Sequence, residues 1–100
     1  MEPTDYKTLP NLLRKYRKAR GLKQNDVAKI LGFKSSSRLS RWEQGARLPS
    51  LLNALRLGVV YRVMADALFF DHVRQLRKDI GLREESIAQE TEEKGDQHEG

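Results

Sequence analysis

Gln24–Gly45, QNDVAKILGFKSSSRLSRWEQG, is the stretch whose reading decides the fold. Gln24 opens a short helix, Ala28 presents a side chain small enough for another helix to cross closely, and Gly32 falls four residues later, where the chain must turn. Only a residue without a Cβ takes such a turn cheaply. Leu39 and Trp42, three apart, share one face of a second helix, and Gly45, two residues after Glu43, stops it. Small and apolar residues therefore stand where two helices crossing at a steep angle must touch.

That arrangement is a helix-turn-helix pattern. The serine-rich connection Phe33–Ser37 offers Ser35 or Ser36 as a cap for the second helix, because a hydroxyl there can accept a backbone N–H. Ser36, Ser37, Arg38 and Arg41 turn outward. Short hydroxyls and long guanidinium groups on an exposed helix can reach base edges and phosphates in a major groove, although the ordinary meaning of such residues is a solvated surface.

On the N-terminal side, Leu13 and Tyr16 repeat at helical spacing with Leu9 and Leu12 beside them, Pro10 suits a first helical turn, and Gly21 closes the segment. The pattern predicts a helix over 10–20, preceded by a frayed arm, Met1–Leu9. Its other face carries Arg14, Lys15, Arg17, Lys18 and Arg20, continued by Lys23: a solvated face in which some residues touch phosphate. Lys23 is a poor N-cap for the helix that follows, predicted over 24–31 with Val27, Ala28 and Leu31 buried.

On the C-terminal side, 45–50 reads as a loop with Arg47 exposed. Leu51, Leu52, Ala54, Leu55, Leu57, Val59 and Val60 are dense enough to predict a largely buried helix. After a break near Tyr61 and Arg62, the series Ala65, Leu68, Phe69, His72, Val73, Leu76, Ile80 keeps steps of three and four, predicting one long amphipathic helix ending at Gly81. Beyond it Leu82 and Ile87 are the only large apolar side chains, too few past about Ala88 to offset the entropy of ordering. The division is a domain at 1–81 and an acidic, largely disordered tail at 82–100.

Composition bounds the chemistry. One hundred residues with 38% hydrophobic and 33% charged side chains fit one small domain with a modest core. With no cysteine there is no disulfide framework and no thiolate metal site. No apolar run approaches the roughly 18 residues of a membrane span, and the start MEPTDYK lacks the features of a signal peptide, so the expected location is cytoplasmic. The net charge of +5 hides an asymmetry. Residues 1–83 carry 18 of the 19 Lys and Arg against 7 of the 14 acids, and 84–100 carry Lys94 against the other seven. A body this basic attracts polyanions.

Enzyme chemistry finds little footing. Two histidines, His72 on an apolar stripe and His98 in the tail, are too few for a metal cluster. There is no phosphate-cradling glycine loop, and Ser35–Ser37 have no nearby His or Asp to activate a nucleophile. Trp42 and Tyr16 stand at core spacing. No enzyme activity, metal or cofactor is expected.

Residues from about 10 to 70 resemble the Cro/C1-type (Xre-like) helix-turn-helix domains of phage repressors and bacterial regulators. The resemblance rests on Leu13, Arg14, Arg17, Arg20, Gly21 and Leu22, then Gln24, Ala28 and Gly32, then Leu39–Gly45, Arg47, Pro49 and Ser50. It implies an all-α, compact bundle of about five helices, here with the last helix extended, that binds double-stranded DNA as a homodimer on a pseudo-palindrome. One departure stands out: Gly32 and Leu39 are seven positions apart where the family has six, so the turn within Lys34–Ser37 is longer by one residue.

Matched backward from Leu39, the base-reading positions fall on Ser36, Ser37 and Arg41, with Arg38 beside them, on a recognition helix spanning 36–44. Gln24, Lys34 and Arg47 fall at phosphate-contacting positions. The resemblance also implies a partly buried ion pair between Arg17 and Glu43. The function it implies is a sequence-specific transcriptional regulator, a repressor of a mobile element, a phage or its own operon. The alternative is an antitoxin-type interaction module that also binds its operator, with a toxin as partner. The apolar stripe through Val73, Leu76 and Ile80 exceeds what such a domain needs and must either fold back or pair with a second subunit.

Overall fold

The computed structural model describes residues 5–94; the N-terminal part of the expected arm, His98 and the end of the acidic tail lie outside them. Six α-helices succeed one another among the described residues: α1 Leu13–Ala19, α2 Gln24–Leu31, α3 Ser37–Gln44, α4 Leu51–Tyr61, α5 Ala65–Leu68 and α6 Phe70–Lys94. No strand occurs among them. The all-α expectation thus holds, with one element more than the resemblance implied because the last segment splits at Phe69, which leaves helical geometry at φ −123°, ψ 46°.

The core gathers one stripe from each of the first five helices: Leu13 of α1, Val27 and Ala28 of α2, Leu39 and Trp42 of α3, Leu57 and Tyr61 of α4, and Leu68 of α5. Tyr16, Leu31 and Phe33 pack against it, half-buried. Phe33, in the lengthened turn, meets the Trp42 ring edge-on with centroids 6.0 Å apart.

The local chemistry sets the boundaries. α1 begins at Leu13, later than Pro10, because the Asn11 side-chain carbonyl accepts the Leu13 N–H at 3.1 Å. The Asn11 amide also donates to the Trp42 carbonyl at 2.9 Å, tying the start of α1 to the end of α3. Neither role was visible in the sequence. At α2 the ammonium side chain of Lys23 has no acceptor, so the start is stabilised from the other direction: the Asp26 carboxylate accepts the Lys23 backbone N–H at 2.8 Å. Ser50 caps α4 by accepting the Asn53 N–H at 3.2 Å.

Two glycines carry the turns around α3. Gly32 ends α2 at φ +81°, and Phe33 N–H returns to the Ala28 carbonyl at 2.8 Å. Gly45 ends α3 at φ +76°, and a Cβ there would stand 2.7 Å from the Lys7 carbonyl. Any larger residue would strain the backbone and displace the arm.

The arm is accordingly not frayed over its described part. Asp5 caps a 3-10 turn at Tyr6–Thr8, and the Tyr6 hydroxyl donates to Asp79 Oδ2 of α6 at 2.5 Å. This contact raises the Tyr6 pKa and lowers that of Asp79, since the bond favours neutral phenol and ionised carboxylate.

Two further expectations need correction. α4 is not largely buried: only Leu57, Gly58 and Tyr61 are covered, while Leu51, Leu52, Leu55 and Val59 are exposed, Leu51 and Val59 at 76% each. A helix apolar on every side needs neighbours on every side, and α4 has them on one. Nor does the last helix stop at Gly81. α6 runs through it for 25 residues to Lys94, about 37 Å at 1.5 Å per residue. A mid-helix glycine costs about 1 kcal/mol, and the segment after it, Leu82–Lys94, is mostly Leu, Arg, Glu, Ala, Gln and Lys, which are strong helix formers. Asp79–Arg83 adds an acid-to-base pair at i, i+4 spacing. The residues from Leu82 to Glu92 remain exposed, so this part of the helix stands without tertiary cover.

Candidate nucleic-acid interface

The interface is built on a fixed base beneath α3. The Arg17 Nε donates to Glu43 Oε2 at 2.6 Å and its terminal nitrogen to Oε1 at 3.0 Å, a two-point fork between α1 and α3. Another Arg17 nitrogen donates to the Leu22 carbonyl at 2.9 Å. The side chains are 10% and 5% exposed. Desolvation works against the charge, but the hydrogen bond to Glu43 outweighs it and raises the Arg17 pKa further. Gln24 joins the cluster, its amide donating to Glu43 Oε1 at 3.0 Å. Tyr61 lies nearby with its hydroxyl buried and unpartnered, and burial, reinforced by the Glu43 charge, pushes its pKa up to about 12.

On this base Leu39 and Trp42 face the core, which leaves the opposite side of α3 outward. Arg41 is exposed there. Ser37 is exposed in the first turn, exchanging a 3.1 Å hydrogen bond with Ser35. Ser36, half-buried, is the residue preceding the helix, and its side chain makes no cap bond; Ser35 instead accepts the Ser37 N–H at a long 3.4 Å. Arg38 lies over the Phe33 ring, 4.7 Å from its centroid, a cation–π contact that draws it toward the lengthened turn. Lys34 is exposed in that turn, beside Phe33, Ser35 and Arg38 in a shallow hollow.

The structure brings Arg38, Arg41 and Arg47 around a single concavity of about 230 Å³, completed by Trp42, Leu48 and Asn53. Asn53 was missed in the sequence; the signal was its place three residues after the cap Ser50, in the first turn of α4. None of the three arginines donates a hydrogen bond to another described residue, and only Arg38 has another contact for its charge, the Phe33 ring. Arg56 reaches the rim by donating to Asn53 Oδ1 at 3.1 Å, whereas two basic residues of α1 and its exit are engaged elsewhere. Arg17 is consumed by Glu43, and the Arg20 Nε donates to the Val60 carbonyl at 3.0 Å. Gln24, Lys34 and Arg47 are not gathered at one point: Gln24 belongs to the Glu43 cluster, Lys34 to the turn and Arg47 to the loop after α3.

Two short helices, the second carrying an unpartnered cationic face and the first locked to it from behind, define a helix-turn-helix DNA-binding protein. A helix-turn-helix family model of the Cro/C1 type matches residues 13–66, just over half of the chain, and the chain belongs to that family of DNA-binding regulators. No curated protein and no solved structure matches it. Among the described residues no helix is long and apolar enough to cross a membrane, and no group of three His, Cys, Asp or Glu side chains could hold a metal ion.

Proposed function

We propose that this protein is a sequence-specific repressor that binds a pseudo-palindromic operator as a homodimer, with α3 of each copy in the major groove. The observation that supports it is the trio around one concavity, Arg38 and Arg41 on a helix whose inner face is fixed and Arg47 in the loop after it, none of them paired with a carboxylate among the described residues. Arg41 is the principal base reader, suited to a bidentate contact with guanine O6 and N7, and the small Ser36 and Ser37 let the helix approach closely. Arg38, stacked on Phe33, reaches bases only by leaving that ring. Lys34 and Arg47 meet phosphate, and Gln24 keeps a second amide hydrogen for phosphate beyond the one given to Glu43.

The homodimer is supported by the exposed side of α4. Leu51, Leu52, Leu55 and Val59 lie on one helical face, continued by Met64, and a contiguous apolar patch of this kind marks an association surface. It is the better candidate than the Val73, Leu76 and Ile80 stripe, because Val73 is already half-covered within its own chain. The antitoxin-type reading draws support from one feature, the uncovered helix from Leu82 through Glu92, which a protein partner could grasp; co-purification of a tight, stoichiometric protein partner would favour it.

Paired substitutions test the assignment of reading and holding. Arg41→Ala should cost about 1 to 3 kcal/mol on the cognate site and little on random duplex. Arg47→Ala should weaken both alike and lower the salt slope by about one per subunit. Equal losses on both duplexes for Arg41→Ala would reduce it to a phosphate contact and move base reading to Arg38 or the serines.

A further inference from the structure

The N-terminal arm runs beside the cationic face. A shallow hollow of about 490 Å³ is lined by Asp5, Tyr6 and Lys7 of the arm and by Ala46, Arg47 and Leu48 of the loop after α3. It shares Arg47 and Leu48 with the concavity that holds Arg38 and Arg41, so positive charge continues from α3 across Arg47 to Lys7. Lys7 is exposed, and its side chain pairs with no carboxylate among the described residues. Asp5 is the acid in that lining, and its carboxylate is directed at its own turn, accepting the Lys7 backbone N–H at 3.2 Å.

The arm is held where it is from two sides. The Tyr6 hydroxyl donates to Asp79 Oδ2 of α6 at 2.5 Å, and the Gln75 amide donates to the other oxygen of the same carboxylate at 3.0 Å, so the acceptor is itself oriented. The Thr8 hydroxyl closes the turn by donating to the Asp5 carbonyl at 2.8 Å. On the other side the Lys7 carbonyl rests so close to Gly45 that a Cβ there would stand 2.7 Å from it. The backbone at Lys7 is thus fixed against the end of α3, and little of its entropy is left to lose when the side chain meets a ligand.

We propose that Lys7 is a further DNA-phosphate contact, placed next to that of Arg47 by the Tyr6–Asp79 clasp. The inference rests on the DNA-binding function proposed above and adds to it residues outside the matched domain: the match begins at 13 and ends at 66, before α6. Place and chemistry select phosphate over base. Lys7 stands past the C-terminal end of α3, on the side of Arg47, and an ammonium on a flexible stem is a point charge that a backbone phosphate satisfies without the fork needed to read guanine. Tyr6 and Asp79 act through Lys7 as positioning residues, so α6 takes part in holding DNA without touching it.

Anisotropy of a labelled random-sequence duplex, titrated with the full chain over a series of salt concentrations, tests this, because a phosphate contact carries no sequence information. Lys7→Gln should lower the salt slope by about one per subunit and weaken binding about eightfold per subunit in about 0.1 M salt. Arg47→Ala, measured alongside, marks the loss that one phosphate contact gives, and Lys7→Arg should keep the parent slope. Tyr6→Phe should weaken binding about threefold, the cost of ordering a released arm, and should change nothing further when Lys7 is already Gln. A parent slope retained by Lys7→Gln would overturn the contact. An equal loss from Tyr6→Phe in both backgrounds would overturn the positioning role and make the clasp a support for α3 through Gly45. A parent that binds no duplex at any salt would overturn the DNA-binding function and this contact with it, an outcome distinct from the other two because it is read before any variant is compared.

Discussion

α3 and α4 are neighbours in sequence, and each shows the solvent one face that its own core contacts do not use. On α3 that face is small and cationic, with Ser37, Arg38 and Arg41; on α4 it is large and apolar, with Leu51, Leu52, Leu55 and Val59. The difference teaches what each face can hold. Uncompensated guanidinium groups gain most from a polyanion whose counterions they release, and exposed leucines gain most from a surface like themselves. One face suits DNA and the other an apolar surface, and the Arg17–Glu43 fork behind α3 holds the first in place.

The comparison breaks most severely if that fork is cut. Glu43→Ala leaves the Arg17 guanidinium buried without its partner and should destabilise the fold by about 3 to 5 kcal/mol in urea unfolding. A loss under about 1 kcal/mol would mean that the fork is not what holds α3. Leu55→Asp should act more narrowly. It should turn a dimer into a monomer in sedimentation and weaken operator binding by at least about 2 kcal/mol, with helical content unchanged. Unchanged mass would take the apolar face of α4 out of the account.

A smaller effect is expected at His72. Burial lowers its pKa, countered in part by the nearby Tyr6 backbone and Asp71. The folded protein therefore binds a proton less readily than the unfolded chain, and stability should be full above about pH 6.5 and fall as the pH drops from there toward the depressed folded value. His72→Phe should flatten that slope in thermal melts. Smallest of all, cutting the chain after Ala88 should leave the melting temperature nearly unchanged, because Gln89–Glu92, the described side chains it removes, are exposed. Removing acidic residues should slightly strengthen binding to random DNA, and a large loss of stability would show that distal α6 is packed against something.

Much of the α1–α3 unit could be read in the sequence because its signals are local and mutually consistent. Gly32 and Gly45 mark turns by needing positive φ, Leu39 and Trp42 fix the inner face of α3, and the register from Leu39 outward placed Arg41. Residues further from those anchors were less legible. Asn11 acts through a partner 31 positions away, and Asn53 joins the arginines only through the fold. α4 looked buried because apolar density says that a surface wants cover, and not whether the same chain supplies it. Gly81 reads as a stop because glycine permits positive φ; in the structure it stays in the helix, carried by the propensity of its neighbours.

Pull-down of genomic DNA fragments by the full-length protein, followed by sequencing, tests both faces together. The account predicts a small set of enriched fragments sharing a two-fold motif, its half-sites centred about one helical turn, roughly 34 Å, apart, with the motif blurred at one base pair per half-site when Arg41→Ala replaces the parent. Recovery of random fragments in proportion to their abundance, by parent and variant alike, would contradict it.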